Sequence, residues 1–125
     1  MTSVASRASL GVGTAIHDLK WSAAEKVIAR KAFNLALERE FQMVILEAKS
    51  KAAKIQEPSG LWDLEQYLTQ RRQEIDRIYD YRYSVLPLVL ANLLSNGRLV
   101  EDELHGLGED KLSWIQRCRS ISLER

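Results

Sequence analysis

The stretch SAAEKVIARKAFNLALEREFQMVILEAKSKAAKI, residues 22–55, contains neither proline nor glycine. Within it Phe33, Leu37, Phe41, Val44, Ala48, Ala52 and Ile55 recur at steps of four, four, three, four, four and three, the spacing that keeps apolar side chains on one side of an α-helix. The opening Ser22-Ala23-Ala24-Glu25 has the form of a capping box: Ser22 is placed to accept from the first turn, and Glu25 to reach back. Trp21 precedes it in the position of a hydrophobic staple. These residues read as one long helix over about 22–56.

At 1.5 Å per residue such a helix spans roughly 50 Å, whereas a compact monomer of this size would be only about 35 Å across. The helix must therefore protrude from its own globule. At its middle, Met43, Val44, Ile45 and Leu46 are four consecutive apolar residues, which at about 100° each cover most of the circumference. One intramolecular neighbour cannot cover them all, so a second copy of the chain is the expected partner, with Ile45 near the interface. A buried helix in a monomeric bundle is the competing reading.

Downstream, Gln56-Glu57-Pro58-Ser59-Gly60 interrupts the pattern. Proline cannot continue the first helix, and Ser59 is available to cap the next, which is expected from near Leu61 to about Tyr79. Leu61, Leu64, Leu68, Ile75 and Ile78 form one row along it, with Arg71 interrupting; the row is core or dimer contact, and Leu61 is assigned to the dimer interface. The apolar run Ser84 to Leu94 follows, with Ser84 as its expected cap and Asn96-Gly97 as its stop. It should be the most buried element. A short helix over Val100–His105 ends at Gly106, and Gly108 opens a last helix, Glu109 to about Ile121, with Leu112, Ile115 and Ile121 pointing inward. No strand alternation or internal repeat appears. The fold class is all-α: a long protruding helix followed by a compact bundle of shorter ones, homodimeric. Residues 1–20 read as a flexible leader, 21–125 as a single helical domain with its head at about 80–121.

Eighteen Lys and Arg against 17 Asp and Glu give a formal net charge of +1, which excludes a bulk electrostatic grip on nucleic acid. Cys118 stands alone, so there is neither an internal disulfide nor a thiolate metal cage, and it reads as a packed helix residue. The N-terminus has no apolar signal core and no stretch approaches a membrane span, so the chain is expected to stay in the cytoplasm without inserting into a membrane. His17 and His105 have no second ligand at a metal spacing. With no nucleophile elbow, phosphate-cradling loop or dinucleotide fingerprint, neither an enzyme nor a cofactor is expected. Glu101, Asp102 and Glu103 suit a helix N-terminus better than an acid/base pair, and the last two helices lack the dense basic face of a DNA reader.

The second helix offers more. Trp62, Gln66, Thr69, Arg72 and Asp76 share the face beside the leucine row, flanked by Glu65 and Gln73, at the spacing that makes helical neighbours. Trp and Arg combine large area with a directional polar group and often anchor protein interfaces. Trp62 and Arg72 are thus the candidate partner-binding residues. The same spacing also fits Trp62 packed into a dimer seam and Arg72 paired with Asp76.

Leu61-Trp62-Asp63-Leu64, Arg72 with Glu74-Ile75-Asp76, Tyr79-Asp80, Arg82 and Ser84-Val85 together resemble the central signature of the fluorescence recovery protein family. Trp21-Ser22 with Glu25, Arg39-Glu40, Glu103-Leu104 and Asp110-Lys111 are similar to the family's ends. The resemblance, over about Trp21 to Ile121, implies an all-helical dimer that binds the orange carotenoid protein, mainly through that partner's C-terminal domain. It further implies that the dimer speeds return of the photoactivated red form to orange and promotes release from the phycobilisome. Trp62 and Arg72 match the family's central functional patch. Glu65 and Gln66 stand where the family typically carries histidine and aspartate, Leu88 where an aromatic is expected, and Trp114 where a lysine is. A related dimeric adaptor or chaperone with another client is the alternative, and a small DNA-binding regulator a third.

Overall fold

The computed structural model describes residues 15–123, with side chains described through Ser120. The expected leader lies outside the described residues over 1–14, as does the side chain of Ile121. Four α-helices follow one another: α1 (Ala23–Ala53), α2 (Pro58–Ile78), α3 (Leu86–Ser95) and α4 (Glu109–Leu123). Short 3-10 turns occupy Ile16–Asp18 and Glu101–Leu104. No strand occurs among the described residues, and no helix there is long and apolar enough to cross a membrane.

The start of α1 follows its sequence: the Ser22 hydroxyl accepts from the Glu25 amide at 3.1 Å, and the Glu25 carboxylate accepts from the Ser22 amide at 2.9 Å. The staple does not form, because the residue one turn in is Lys26; Trp21 packs instead against Tyr83, ring centroids 5.6 Å apart. The helix ends at Ala53, short of Gln56. Its last turn tightens into bonds from Lys54 to Lys51 and from Ile55 to Ala52, both 3.2 Å, a common way to satisfy orphan carbonyls. The helix is roughly 46 Å long.

Two expected caps are corrected. Helix α2 begins at Pro58 with Glu57 as its N-cap, not at Leu61 with Ser59; proline suits the first turn, where its missing N–H and fixed φ cost nothing. Helix α3 begins at Leu86 with Val85 as N-cap, not Ser84, and Pro87 falls in its first turn. Its stop is as expected. The Arg98 amide bonds to Leu93 O at 2.9 Å and the Gly97 amide to Leu94 O at 3.2 Å, with Gly97 at φ 77°, the Schellman arrangement.

The core lies in the head. Ala29, Ala32, Phe33 and Ala36 of α1 are buried against Leu86, Leu90 and Leu93 of α3 and Ile115 and Cys118 of α4. The alanines fall at helical intervals and let the neighbouring backbone approach, so α3 is buried at seven of its ten residues. Burial pushes the Cys118 thiol pKa up, consistent with packing, not reactivity. Gly106, at φ 106°, brings the chain against α1 so closely that an added Cβ would sit 2.5 Å from Ile28 Cδ1.

Leu112 does not point inward: it is exposed, and the buried residues of α4 are Lys111, Ile115 and Cys118. Ile115 is buried as expected, but in the turn before it the inward place is taken by Lys111, whose ammonium is drawn inside. It lies 3.1 Å from Glu25 Oε1 and also donates to Lys20 O. Glu25 Oε2 accepts from the Gly108 amide at 2.7 Å, so this one carboxylate ties the start of α1 to the start of α4.

Burial alone would raise the Glu25 pKa, but the amides of Ser22 and Gly108 and the Lys111 ammonium outweigh it and hold it at about 2. A depressed carboxyl stabilises the fold fully above its ordinary value of 4.5, and that contribution disappears as pH falls toward about 2. Glu25→Gln is therefore expected to lower stability at neutral pH by about 1–3 kcal/mol. It should also flatten the acid limb of the stability profile, as checked by urea unfolding from pH 7 down to about pH 2.5; an unchanged acid limb would contradict this.

Candidate partner-binding face

Helix α2 turns back along the outer half of α1, and its rotation about its own axis decides which residues face solvent. That rotation is fixed at Arg71, the residue that interrupts the leucine row. Arg71 reaches across to the buried Glu40 of α1 and donates to Glu74 at 2.5 Å. Glu40 is a shared acceptor: Arg98 Nε lies 2.9 Å from Oε1, and the Tyr79 hydroxyl donates to the same oxygen at 2.9 Å. Burial alone would raise the Glu40 pKa, yet the bonds from Arg98, Arg71 and Tyr79 hold it below the ordinary carboxylate range. Burial and the Glu40 charge drive the Tyr79 phenol upward. Arg39 adds a two-pronged bond to Glu103, 2.8 and 2.6 Å, and donates to Arg98 O at 2.8 Å. Helices α1 and α2 and the loop after α3 are thereby held around one buried carboxylate.

With Arg71 turned inward, Arg72 is turned outward by about 100°. Trp62, Gln66, Thr69, Arg72 and Asp76 are all exposed on this outer face, as are Glu65 and Gln73. Trp62 keeps 65% of its surface in solvent, so within one chain it is not packed into any seam. No ion pair joins Arg72 to Asp76 among the described residues, which leaves the Arg72 fork open for a partner.

Beside this face runs an apolar belt. Phe41, Met43, Ile45 and Leu46 of α1 and Leu61 and Leu68 of α2 are all exposed, between 41% and 64% of their surfaces. Ile75 alone of the α2 row is buried; Leu64 and Ile78 are half-buried. Isolated apolar side chains on a surface are ordinary, but six large ones gathered around one stretch of the α1–α2 hairpin make it a candidate interaction surface. The sequence-predicted residues thus fall into two sets on one stalk, Trp62 and Arg72 on the polar face and Ile45 and Leu61 in the belt. The reasoning from sequence missed the Glu40 node, although Arg71 in a leucine row was its signal.

The remaining candidates do not assemble into chemistry. His17 and His105 are exposed, and no group of three or more His, Cys, Asp or Glu suited to a metal occurs among the described residues. In the head, Leu88 is exposed and Trp114 half-buried, with the Arg117 guanidinium 4.5 Å above its ring.

Replacing the two neighbouring arginines should separate structure from recognition. Arg71→Leu leaves a buried carboxylate short of a partner and is expected to cost about 2–4 kcal/mol, whereas Arg72→Leu should stay within about 0.5 kcal/mol of the parent. Thermal unfolding of both variants measures the difference, and equal costs would overturn the assignment of inward and outward roles.

The family model described as "Photoprotection regulator fluorescence recovery protein" matches residues 21–118. The fluorescence recovery protein of Synechocystis sp. is 38% identical over 96 residues, 77% of this chain and 88% of that protein. Among solved structures, the Fremyella diplosiphon fluorescence recovery protein is similar with a TM-score of 0.76 at 42% identity, covering 81% of this chain and 99% of that one. The Synechocystis fluorescence recovery protein gives 0.77 at 36% identity, with the same coverage of both chains.

Proposed function

The chain belongs to the fluorescence recovery protein family of non-enzymatic photoprotection regulators, and we propose that it binds the photoactivated orange carotenoid protein, mainly through that partner's C-terminal domain. On this reading it speeds the return of the red form to orange and promotes release from the phycobilisome. The observation that carries it is the open face of α2, where Trp62 and Arg72 stand exposed on a helix that the Arg71–Glu40 pair holds in place.

The action needs no bond chemistry. A protein that grips a compact or intermediate conformer of its target more tightly than the opened one shifts the population toward closure and lowers the barrier to it. Trp62 supplies area and Arg72 a two-pronged donor for a carboxylate. Glu65 and Gln66 change the polarity of the same face. A carboxylate offers no donor, and a neutral amide accepts more weakly than a carboxylate, so the face is tuned to a particular orthologue of the client.

The working form is a homodimer acting in the cytoplasm, built from residues 21–125 of each chain. Its seam is the belt of Phe41, Met43, Ile45, Leu46, Leu61 and Leu68, which supports this reading because six large apolar side chains otherwise face water.

The deciding measurement follows the decay of the red form of the orange carotenoid protein in the dark, with and without an excess of this chain. Marked acceleration is expected, and Arg72→Leu should abolish it while the helical content is unchanged. No acceleration by a well-folded parent protein would redirect the function to a dimeric adaptor with another client. Separately, Ile45→Glu places a charge in each half of an apolar seam and is expected to yield monomers; a dimer mass retained in sedimentation would remove Ile45 from the interface.

A further inference from the structure

The first half of α1 carries a second surface that neither the stalk face nor the core explains. Lys26, Arg30 and Lys31 follow one another with no acidic residue between them, and all three are exposed. None has an acidic partner within 4 Å among the described residues, where the ion pairs are formed by other groups. Ahead of α1 the chain carries one carboxylate, Asp18, which lies 3.6 Å from His17 Nε2. Glu25 is committed to Lys111 and Gly108, and Glu38 stands at the far end of the same surface.

Two of these cations are held by aromatic rings. The Arg30 guanidinium lies 3.6 Å from the centroid of Tyr81, and Lys26 Nζ lies 5.3 Å from that of Tyr83. Tyr81 and Tyr83 are themselves packed edge to face at 5.4 Å, and Tyr83 leans on Trp21. A guanidinium laid on a ring keeps its in-plane N–H groups free, which is the geometry that takes a carboxylate with two parallel bonds. Along the outer side of this row, Lys26, Val27, Arg30, Lys31, Leu35 and Glu38, all on α1, line a shallow, open groove of about 670 Å³. Val27 is 68% exposed there. The groove thus sets exposed aliphatic carbon, at Val27, beside three cations and one carboxylate at its far end.

From this juxtaposition we infer that the groove on the first half of α1 docks an acidic, partly aliphatic peptide segment of a partner protein. Carboxylates fit the Arg30 fork and the Lys26 and Lys31 ammoniums, and an aliphatic side chain of the partner covers the exposed Val27. The overall charge of +1 makes the site local, and a peptide chain, which can cover Val27 and turn away from Glu38, matches it better than a uniformly charged phosphate backbone does. The surface lies apart from the Arg72 face: Lys31 is nine residues from Glu40, roughly 14 Å along the helix axis. It stands whether or not the client is a carotenoid protein.

The test titrates the full chain into a fluorescein-labelled ten-residue peptide of alternating glutamate and leucine, read by fluorescence anisotropy. Saturable binding is expected, weakened at least about tenfold by K26E/R30E/K31E and unchanged by the stalk control K49E/K54E. Arg30→Lys preserves the charge but not the fork, so a loss of several-fold is expected from it, and this milder variant decides the matter should the triple one fail to fold. Binding lost equally in the stalk control would overturn the site. So would no binding by the parent protein, or tighter binding to a DNA duplex of matched charge that the triple variant abolishes, since that assigns the groove to nucleic acid.

Discussion

A single buried carboxylate sets the geometry of this molecule. Glu40 lies a little past the middle of α1, at the level where the head ends and the stalk begins, and it accepts from α2 through Arg71 and from the loop after α3 through Arg98. Burying a charge is costly unless it is paired and hydrogen-bonded, and here every donor comes from a different segment. The carboxylate is therefore satisfied in one arrangement only, in which α2 is antiparallel to α1 and rotated so that Arg71 faces in. The exposure of Trp62 and Arg72 follows from that rotation.

The head obeys a second constraint, the approach of backbone to backbone. Ala29, Ala32 and Ala36 leave room on α1 for the leucines of α3, and Gly106 lets the following loop come down on Ile28. The Glu25 carboxylate then joins the first turn of α1 to the first turn of α4 through Lys111 and the Gly108 amide. Apolar area supplies the adhesion, as in any small domain. The two charged clasps, at Glu25 and Glu40, fix the register in which that area is buried. Each lies at one edge of the alanine stripe.

Much of this was legible in the sequence. The Ser22–Glu25 box, one long helix over about 22–56 that in fact ends at Ala53, the breaks at Pro58 and Gly97 and the burial of α3 all follow from local rules that need only neighbouring residues. What local rules missed was long-range. The Glu40–Arg71 pair joins residues 31 apart, and no periodicity reveals it. In α4 the apolar pattern placed Ile115 correctly but also suggested Leu112 as an inward residue; Lys111, paired with Glu25, takes that inward place instead, because a paired ammonium can occupy a buried site. Cap choice failed at Ser59 and Ser84 for a related reason: proline in the first turn already defines the helix start without a side-chain acceptor. The grouping of Trp62, Gln66, Thr69, Arg72 and Asp76 on one exposed face was legible because α2 is regular, so a spacing of three or four residues is enough to place them together.

One helix serves both the head and the stalk, and this makes α1 a rigid beam with its fulcrum at Glu40. From there to Ala53 is about 20 Å, and to Ala23 about 25 Å, at 1.5 Å per residue. A tilt of roughly 10° about the fulcrum would carry the stalk tip by about 3 Å and the head end by about 4 Å in the opposite sense. Motion forced on one end of the molecule is thus delivered to the other as a displacement of the same order as a rotamer change. An uninterrupted helix without proline or glycine has no joint at which to absorb it.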